Sequence, residues 1–288
     1  MALKGIRGVF PGASPHMVGD GFRVINYIPG AGDLTKETSP FLMLDYNPPW
    51  SIAPAESPKG VGAHPHKGFE TVTLVYEGQL VHRDSAGGGG EIGAGDVQWM
   101  TAGSGLLHEE FQAESFRLAG GTQHMAQIWV NLPARFKGTP PSYQSISSDQ
   151  IGSYVVDHQK GRVRVVAGEF RGVAGAAKTF TPVEMYDIRL KKGAHLEFDL
   201  PAAYNSMILV AQGEWIINGR DASFKDFILF DHEGESIQLT TKSDGYALVL
   251  SGEPIDEPVA SYGPFVMNTQ DEIMQALKDY RAGKFGTL

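Results

Sequence analysis

Apolar positions in this chain alternate with polar ones in short runs, and glycine-rich turns separate the runs. Thr71-Val72-Thr73-Leu74-Val75-Tyr76 is β-branched and aromatic and stops at Glu77-Gly78. That composition fits a pleated strand followed by a turn. Gln79 to Asp84, Val97 to Thr101 and Met125 to Val130 repeat the pattern, with glycine-rich loops at Gly87 to Gly90 and Gly93 to Asp96. Short strands at this spacing predict an all-β sandwich or barrel.

From about Tyr143 the pattern begins again. Val163 to Gly168, Glu184 to Leu190, Ser206 to Ala211, Phe227 to Phe230 and Tyr246 to Ser251 read as strands, and Gln212-Gly213 follows its strand as Glu77-Gly78 does. An internal duplication is expected: one barrel over residues 1–138 and a second over 139–288, divided in the Pro/Ser-rich stretch Thr139 to Ser148. Thr269-Gln270-Asp271-Glu272 has the form of a capping box and opens an amphipathic run through Ile273, Leu277 and Tyr280. It predicts one short C-terminal helix, counted with the second barrel.

Charge and composition narrow the function. The chain has 288 residues, 33 acidic against 24 basic, and a net charge of -9. No Lys/Arg-rich block is present, which argues against direct contact with nucleic acid. The absence of cysteine excludes disulfides, Fe–S clusters, thiolate zinc sites and a cysteine nucleophile. No apolar run has the length of a signal peptide or a membrane span. A cytoplasmic protein without a membrane partner is expected, and two barrels in one chain fit a monomer.

Histidines and carboxylates are then the available metal ligands. His64-Pro65-His66 and His108-Glu109-Glu110 are two i,i+2 pairs, and residues i and i+2 of a strand share a face. If the two strands face a common interior, His64, His66, His108 and Glu110 converge as an N3O set, while Glu109 points away. Such a set suits one borderline divalent ion per chain: iron, nickel, copper, manganese, cobalt or zinc. Glu70 is a rival carboxylate by strand parity, unless Lys67-Gly68 breaks the strand. His82 and His124 read as structural, and His16, His158, His195 and His232 as loop or rim residues. The run Gly87 to Gly90 lacks the Lys-Ser/Thr and helix of a phosphate loop. Matching Gly213 to Gly78 places Asp199 and Pro201 where His64 and His66 stand, so the second copy is expected to be metal-free.

The two-barrel pattern with its His-x-His pair resembles the cupin superfamily of double-stranded β-helix (jelly-roll) barrels, and within it the pirin family. The resemblance lies in His64-Pro65-His66-Lys67-Gly68-Phe69-Glu70-Thr71-Val72 and Gly95-Asp96-Val97-Gln98-Trp99-Met100-Thr101-Ala102-Gly103. It continues in Leu107-His108-Glu109-Glu110, Trp129-Val130-Asn131-Leu132 and Gly263-Pro264-Phe265-Val266-Met267-Asn268-Thr269, so it spans nearly the whole chain. It implies a metal, usually Fe(II), held by His64, His66, His108 and Glu110, with Glu70 as a supporting group. It also implies a dioxygenase like the quercetin 2,3-dioxygenases, which open a flavonol with dioxygen and release carbon monoxide. Glu110 would be the catalytic base, and the substrate a small aromatic enol or phenol. The family implies an alternative: an iron-dependent, non-enzymatic sensor that binds a transcription regulator, as eukaryotic pirins do, or a metabolic enzyme, as some bacterial ones do.

Overall fold

The computed structural model describes residues 2–30 and 34–288. Strand-forming sequence dominates it, and the strands assemble into two compact units, each built from a seven-stranded and a four-stranded antiparallel sheet.

In the first barrel the larger sheet runs in the order Ser142–Ile146, Val97–Thr101, Phe69–Glu77, Gly121–Asn131, Phe41–Ile52, Phe22–Ile28, His16–Val18. The smaller sheet runs Gly60–His66, Leu106–Gln112, Leu80–Asp84, Gly89–Ile92. Alternation is clearest in Leu106–Gln112, where Leu106, His108, Glu110 and Gln112 are buried and the residues between them are not. Phe69–Glu77 is buried along its length up to Glu77, which explains why its sequence is a continuous apolar and β-branched run.

The second barrel repeats this plan. Its seven strands run Ile6–Phe10, Phe227–Phe230, Asn205–Gln212, Gly245–Gly252, Val183–Leu190, Gly161–Ala167, Ser153–Val156. Its four run His195–Asp199, Ser236–Thr241, Glu214–Ile217, Arg220–Ser223. The interior is a single apolar cluster that includes Leu196, Phe198, Trp215, Ile217, Ile237 and Leu239.

The division of the chain departs from the expected cut between 138 and 139. Residues 14–30, 41–148 and 255–288 belong to the first barrel, and 2–13, 34–40 and 149–254 to the second. Backbone pairing is the reason. Ile6–Phe10 pairs antiparallel with Phe227–Phe230 of the second barrel. Ser142–Ile146, read as linker, pairs with Val97–Thr101 of the first. The helix, Gln270–Arg281, carries the expected capping box, but it packs with the first barrel, where Ile273, Ala276, Phe265 and Phe285 cluster with Leu107.

That returning segment holds the turn behind His66. Lys67 N donates to the Pro264 carbonyl and Val266 N to the Lys67 carbonyl. The buried Lys137 amine donates to the carbonyls of Gly68 and Val266 and to Asn131 Oδ1. Gly68 has φ +88°, and a Cβ there would run into the Val266 carbonyl oxygen, so the turn requires glycine.

Candidate metal centre

The inner face of the smaller sheet in the first barrel gathers histidines and carboxylates. Antiparallel register sets His108 opposite His64 on one side and opposite Asp84 on the other. Glu110 stands opposite His82, and a register shift between His108 and Glu110 moves Glu110 one step out of line with the His64 strand. All of these side chains therefore rise from three adjacent strands into one interior.

The imidazoles of His64, His66 and His108 lie with ring centroids 4.2–4.8 Å apart, and their ligand atoms fall within 4.8 Å of one another. His66 and His108 are buried, and His64 is partly exposed. Burial and then the neighbouring His64 ring hold His66 down at about 3, with the Pro264 carbonyl opposing. Burial, followed by His66, His64 and His82, holds His108 well below the ordinary histidine value. At neutral pH these rings are neutral and keep a lone pair, the form that binds metal. His64 Nδ1 lies 2.9 Å from the Gly62 carbonyl, which can only accept, so Nδ1 is the donor there. His108 Nε2 is buried and has no hydrogen-bond partner. Such an orphan is costly in a core. Three clustered imidazoles, with buried unpartnered nitrogens on His66 and His108, fit a borderline divalent ion.

Glu110 is buried in a web of donors. Gln98 Nε2 donates to Oε1, Gln127 Nε2 donates to Oε2 at 2.8 Å, and Thr73 Oγ1 reaches Oε1 at 3.5 Å. Tyr143 donates to Gln98 Oε1 at 3.2 Å. Burial, then Glu110 and Asp84, pushes the Tyr143 phenol up, so it remains a donor. Of the four expected ligands, the three histidines form one close group. Glu110 forms a second with His108 and His82, and His108 is common to both.

Glu70 sits elsewhere. It is fully buried, and Thr101 donates to it at 2.7 Å. Burial raises its carboxyl to about 7, with Thr101 and Trp99 opposing. Thr73, three residues on along the same strand, reaches Glu110, so by alternation Glu70 faces the opposite side of the sheet. The turn at Lys67-Gly68 carries Glu70 into the larger sheet, and the parity argument from His66 ends there. Glu109 faces outward and pairs with Arg83. His124 bonds Tyr46 and stacks on Tyr76.

Sequence reasoning missed His82, Asp84, Gln98, Gln127 and Tyr143. The first two had a signal. His82-Arg83-Asp84 is a third i,i+2 pair of ligand-type residues on a predicted strand, and both are buried. The other three carry polar groups inside strands that read as core, and no spacing marks them. Trp129 and Phe69 stack with centroids 4.3 Å apart beside His66, which lies 5.2 and 5.0 Å from them, and they form an apolar wall.

Two family profiles match the chain: one described as Pirin over residues 21–130 and one as Pirin C-terminal cupin domain over residues 185–286. A Pseudomonas aeruginosa protein named "Putative quercetin 2,3-dioxygenase" is 44% identical over 283 residues, covering 98% of this chain and 99% of its own. A crystal structure of quercetin 2,3-dioxygenase from Acinetobacter baumannii superposes with a TM-score of 0.94 at 43% identity, covering 99% of each chain. The Escherichia coli bacterial pirin YhhW, solved in complex with nickel(II), shares the fold with a TM-score of 0.65 at 22% identity, over 86% of this chain and 100% of its own.

Proposed function

The chain belongs to the pirin family of two-domain cupins, and on that premise we propose that it is a metal-dependent dioxygenase acting on a flavonol such as quercetin or a related aromatic enol. His64, His66 and His108, with Glu110 as the carboxylate, would hold one divalent ion, and Fe(II) is the metal we assign. The observation that carries this reading is the cluster of three imidazoles, with a buried unpartnered nitrogen on His108, beside a carboxylate fixed by donors on both oxygens. Likeness to proteins named as quercetin 2,3-dioxygenases supports the reaction class.

When bound, the metal supplies Lewis acidity and, as iron, a route for electrons between substrate and dioxygen. The protein supplies orientation and proton handling. Trp129, partly exposed beside His66 and backed by the buried Phe69, offers an apolar face for a flat aromatic substrate. Glu110 Oε2 carries one donor, Gln127, and keeps a lone pair to take the proton of the substrate hydroxyl. Gln98 and Thr73 fix the other oxygen, so the carboxylate stays aimed as its charge changes. Burial of this polar set keeps bulk water from competing for the site.

The test is oxygen uptake by protein stripped of metal and reloaded anaerobically with Fe(II), given quercetin, beside a His66→Ala control. Uptake that tracks flavonol loss and carbon monoxide release, and that is absent in the control, is expected. A stoichiometrically loaded protein that consumes no oxygen with flavonols or simpler enols overturns the reading.

A further inference from the structure

Asp84 and His82 form a file of polar atoms that ends on His108. Asp84 Oδ1 accepts from the backbone N–H groups of Ala86 at 2.8 Å and Gly88 at 2.9 Å. Its Oδ2 lies 3.4 Å from His82 Nε2. His82 Nδ1 lies 3.4 Å from His108 Nδ1, and His108 Nε2 is the buried nitrogen without a partner. His82 is sandwiched in place by Tyr143, stacked at 4.8 Å and 13°. His82 and Asp84 are buried, and neither needs to be polar for the strand to form.

We infer that Asp84 and His82 are positioning residues that set the tautomer of His108 and thereby leave its Nε2 bare for the metal. The inference rests on the reading of His64, His66 and His108 as ligands. When each ring carries a single proton, every contact in the file pairs one donor with one acceptor. A carboxylate only accepts, so the His82 proton sits on Nε2. His82 Nδ1 is then an acceptor, and the facing His108 Nδ1 must be the donor. One proton on Nδ1 leaves the His108 lone pair on Nε2. Support of this kind around metal-binding imidazoles commonly governs affinity. The contacts at 3.4 Å are long, and ring rotation of a few degrees on metal entry would shorten them.

Asp84→Asn tests the inference because the replacement is isosteric but cannot keep the same pattern. The two backbone donors require an acceptor at Oδ1, so the new amide nitrogen must face His82. Nε2 then becomes the acceptor, Nδ1 the donor, and the His108 proton is driven onto Nε2. Two readouts are expected. In the metal-free protein, 15N NMR of labelled histidine, assigned with a His108→Gln spectrum, should show His108 switching from the Nδ1–H to the Nε2–H form. Calorimetric Co(II) and Ni(II) affinity should fall about 10- to 100-fold. A second pair guards against misfolding. His82→Gln offers an oxygen to His108 Nδ1 and should retain the tautomer and most of the affinity, whereas His82→Phe keeps the stack on Tyr143 and should lose both. An unchanged His108 tautomer in Asp84→Asn and His82→Phe overturns the inference. So does complete metal loss in both His82 variants, which would make His82 a ligand. His66→Ala separates the layers. If it still binds stoichiometric metal, the underlying site assignment fails; if it loses metal while Asp84→Asn keeps the parent's affinity and His108 tautomer, only this inference fails.

Discussion

The two barrels share a strand order and differ in what fills it. Leu239 is paired with Leu196 and Ile217 across its neighbours, and His108 is paired with His64 and Asp84 in the same places. One row on, Trp215 stands where His82 does, and Phe198 where His66 does. The second barrel thus closes its centre with aliphatic and aromatic side chains, each worth about 1.5–3 kcal/mol on leaving water. The first puts imidazoles and carboxylates there and surrounds them with Gln98, Gln127, Thr73 and Tyr143. One copy is stabilised by its centre, and the other has to be held together around its centre.

The sharpest way to break the contrast is to delete one of the proposed ligands. His66→Ala and His108→Ala should each abolish stoichiometric metal while circular dichroism keeps the β spectrum; retained metal by elemental analysis would contradict the site. Next comes Glu110→Gln, which should keep part of the metal yet lower turnover by about 100- to 10,000-fold. Full turnover in that variant would move the base to solvent.

Writing the first centre into the second sharpens the contrast. Leu239→His buries an imidazole with no acceptor among Leu196, Ile217 and Ile237. It should destabilise the chain by about 3–5 kcal/mol in urea unfolding, with metal content unchanged.

Buried charge gives a smaller, pH-dependent effect. The Glu70 carboxyl titrates near 7 in the folded chain against an ordinary 4.5, so the fold favours its protonated form. The stability it contributes is complete below about pH 4.5 and is lost as pH rises through 7. Glu70→Gln stays neutral and should gain on the order of 2–4 kcal/mol at pH 8 relative to the parent, with the gain vanishing near pH 4.5. His66 runs the other way in the metal-free chain. Its folded value is depressed to about 3, so its contribution is present above about pH 6.5 and is lost as pH falls toward 3. Least of all, Glu109→Ala removes an outward pair with Arg83 and should cost under about 1 kcal/mol, with metal and turnover intact. A loss of metal there would mean the strand register is wrong.

Much of this was legible in the sequence because period-two alternation is a direct imprint of a pleated sheet. His64, His66 and His108 lie together, Glu110 groups with His108 and His82, and the capping box at Thr269 forms as written. Counting failed where turns differ in length. Residues 67–68 join two strands of the first barrel, and residues 200–204 join their counterparts in the second. The second connection is three residues longer, so counting back from Gly213 gave Asp199 and Pro201 where register gives Leu196 and Phe198. Pairing between distant segments, as with Ile6–Phe10 and Phe227–Phe230, leaves no local trace at all. Glu70 stays an open rival to Glu110 in the sequence because parity holds only within one strand, and the turn at Lys67-Gly68 decides it.

The hold of residues 264–267 on the turn behind His66 bears on the order of assembly. A ribosome delivers the His64 strand early, yet Lys67-Gly68 cannot be locked until some two hundred further residues have emerged. Ile6–Phe10, made earlier still, waits as long for Phe227–Phe230. Contacts this distant in sequence slow folding and prolong the life of open strand edges. The turn behind His66 is therefore among the last parts of its barrel to be fixed, and a nascent chain carries its histidines well before the segments that enclose them exist.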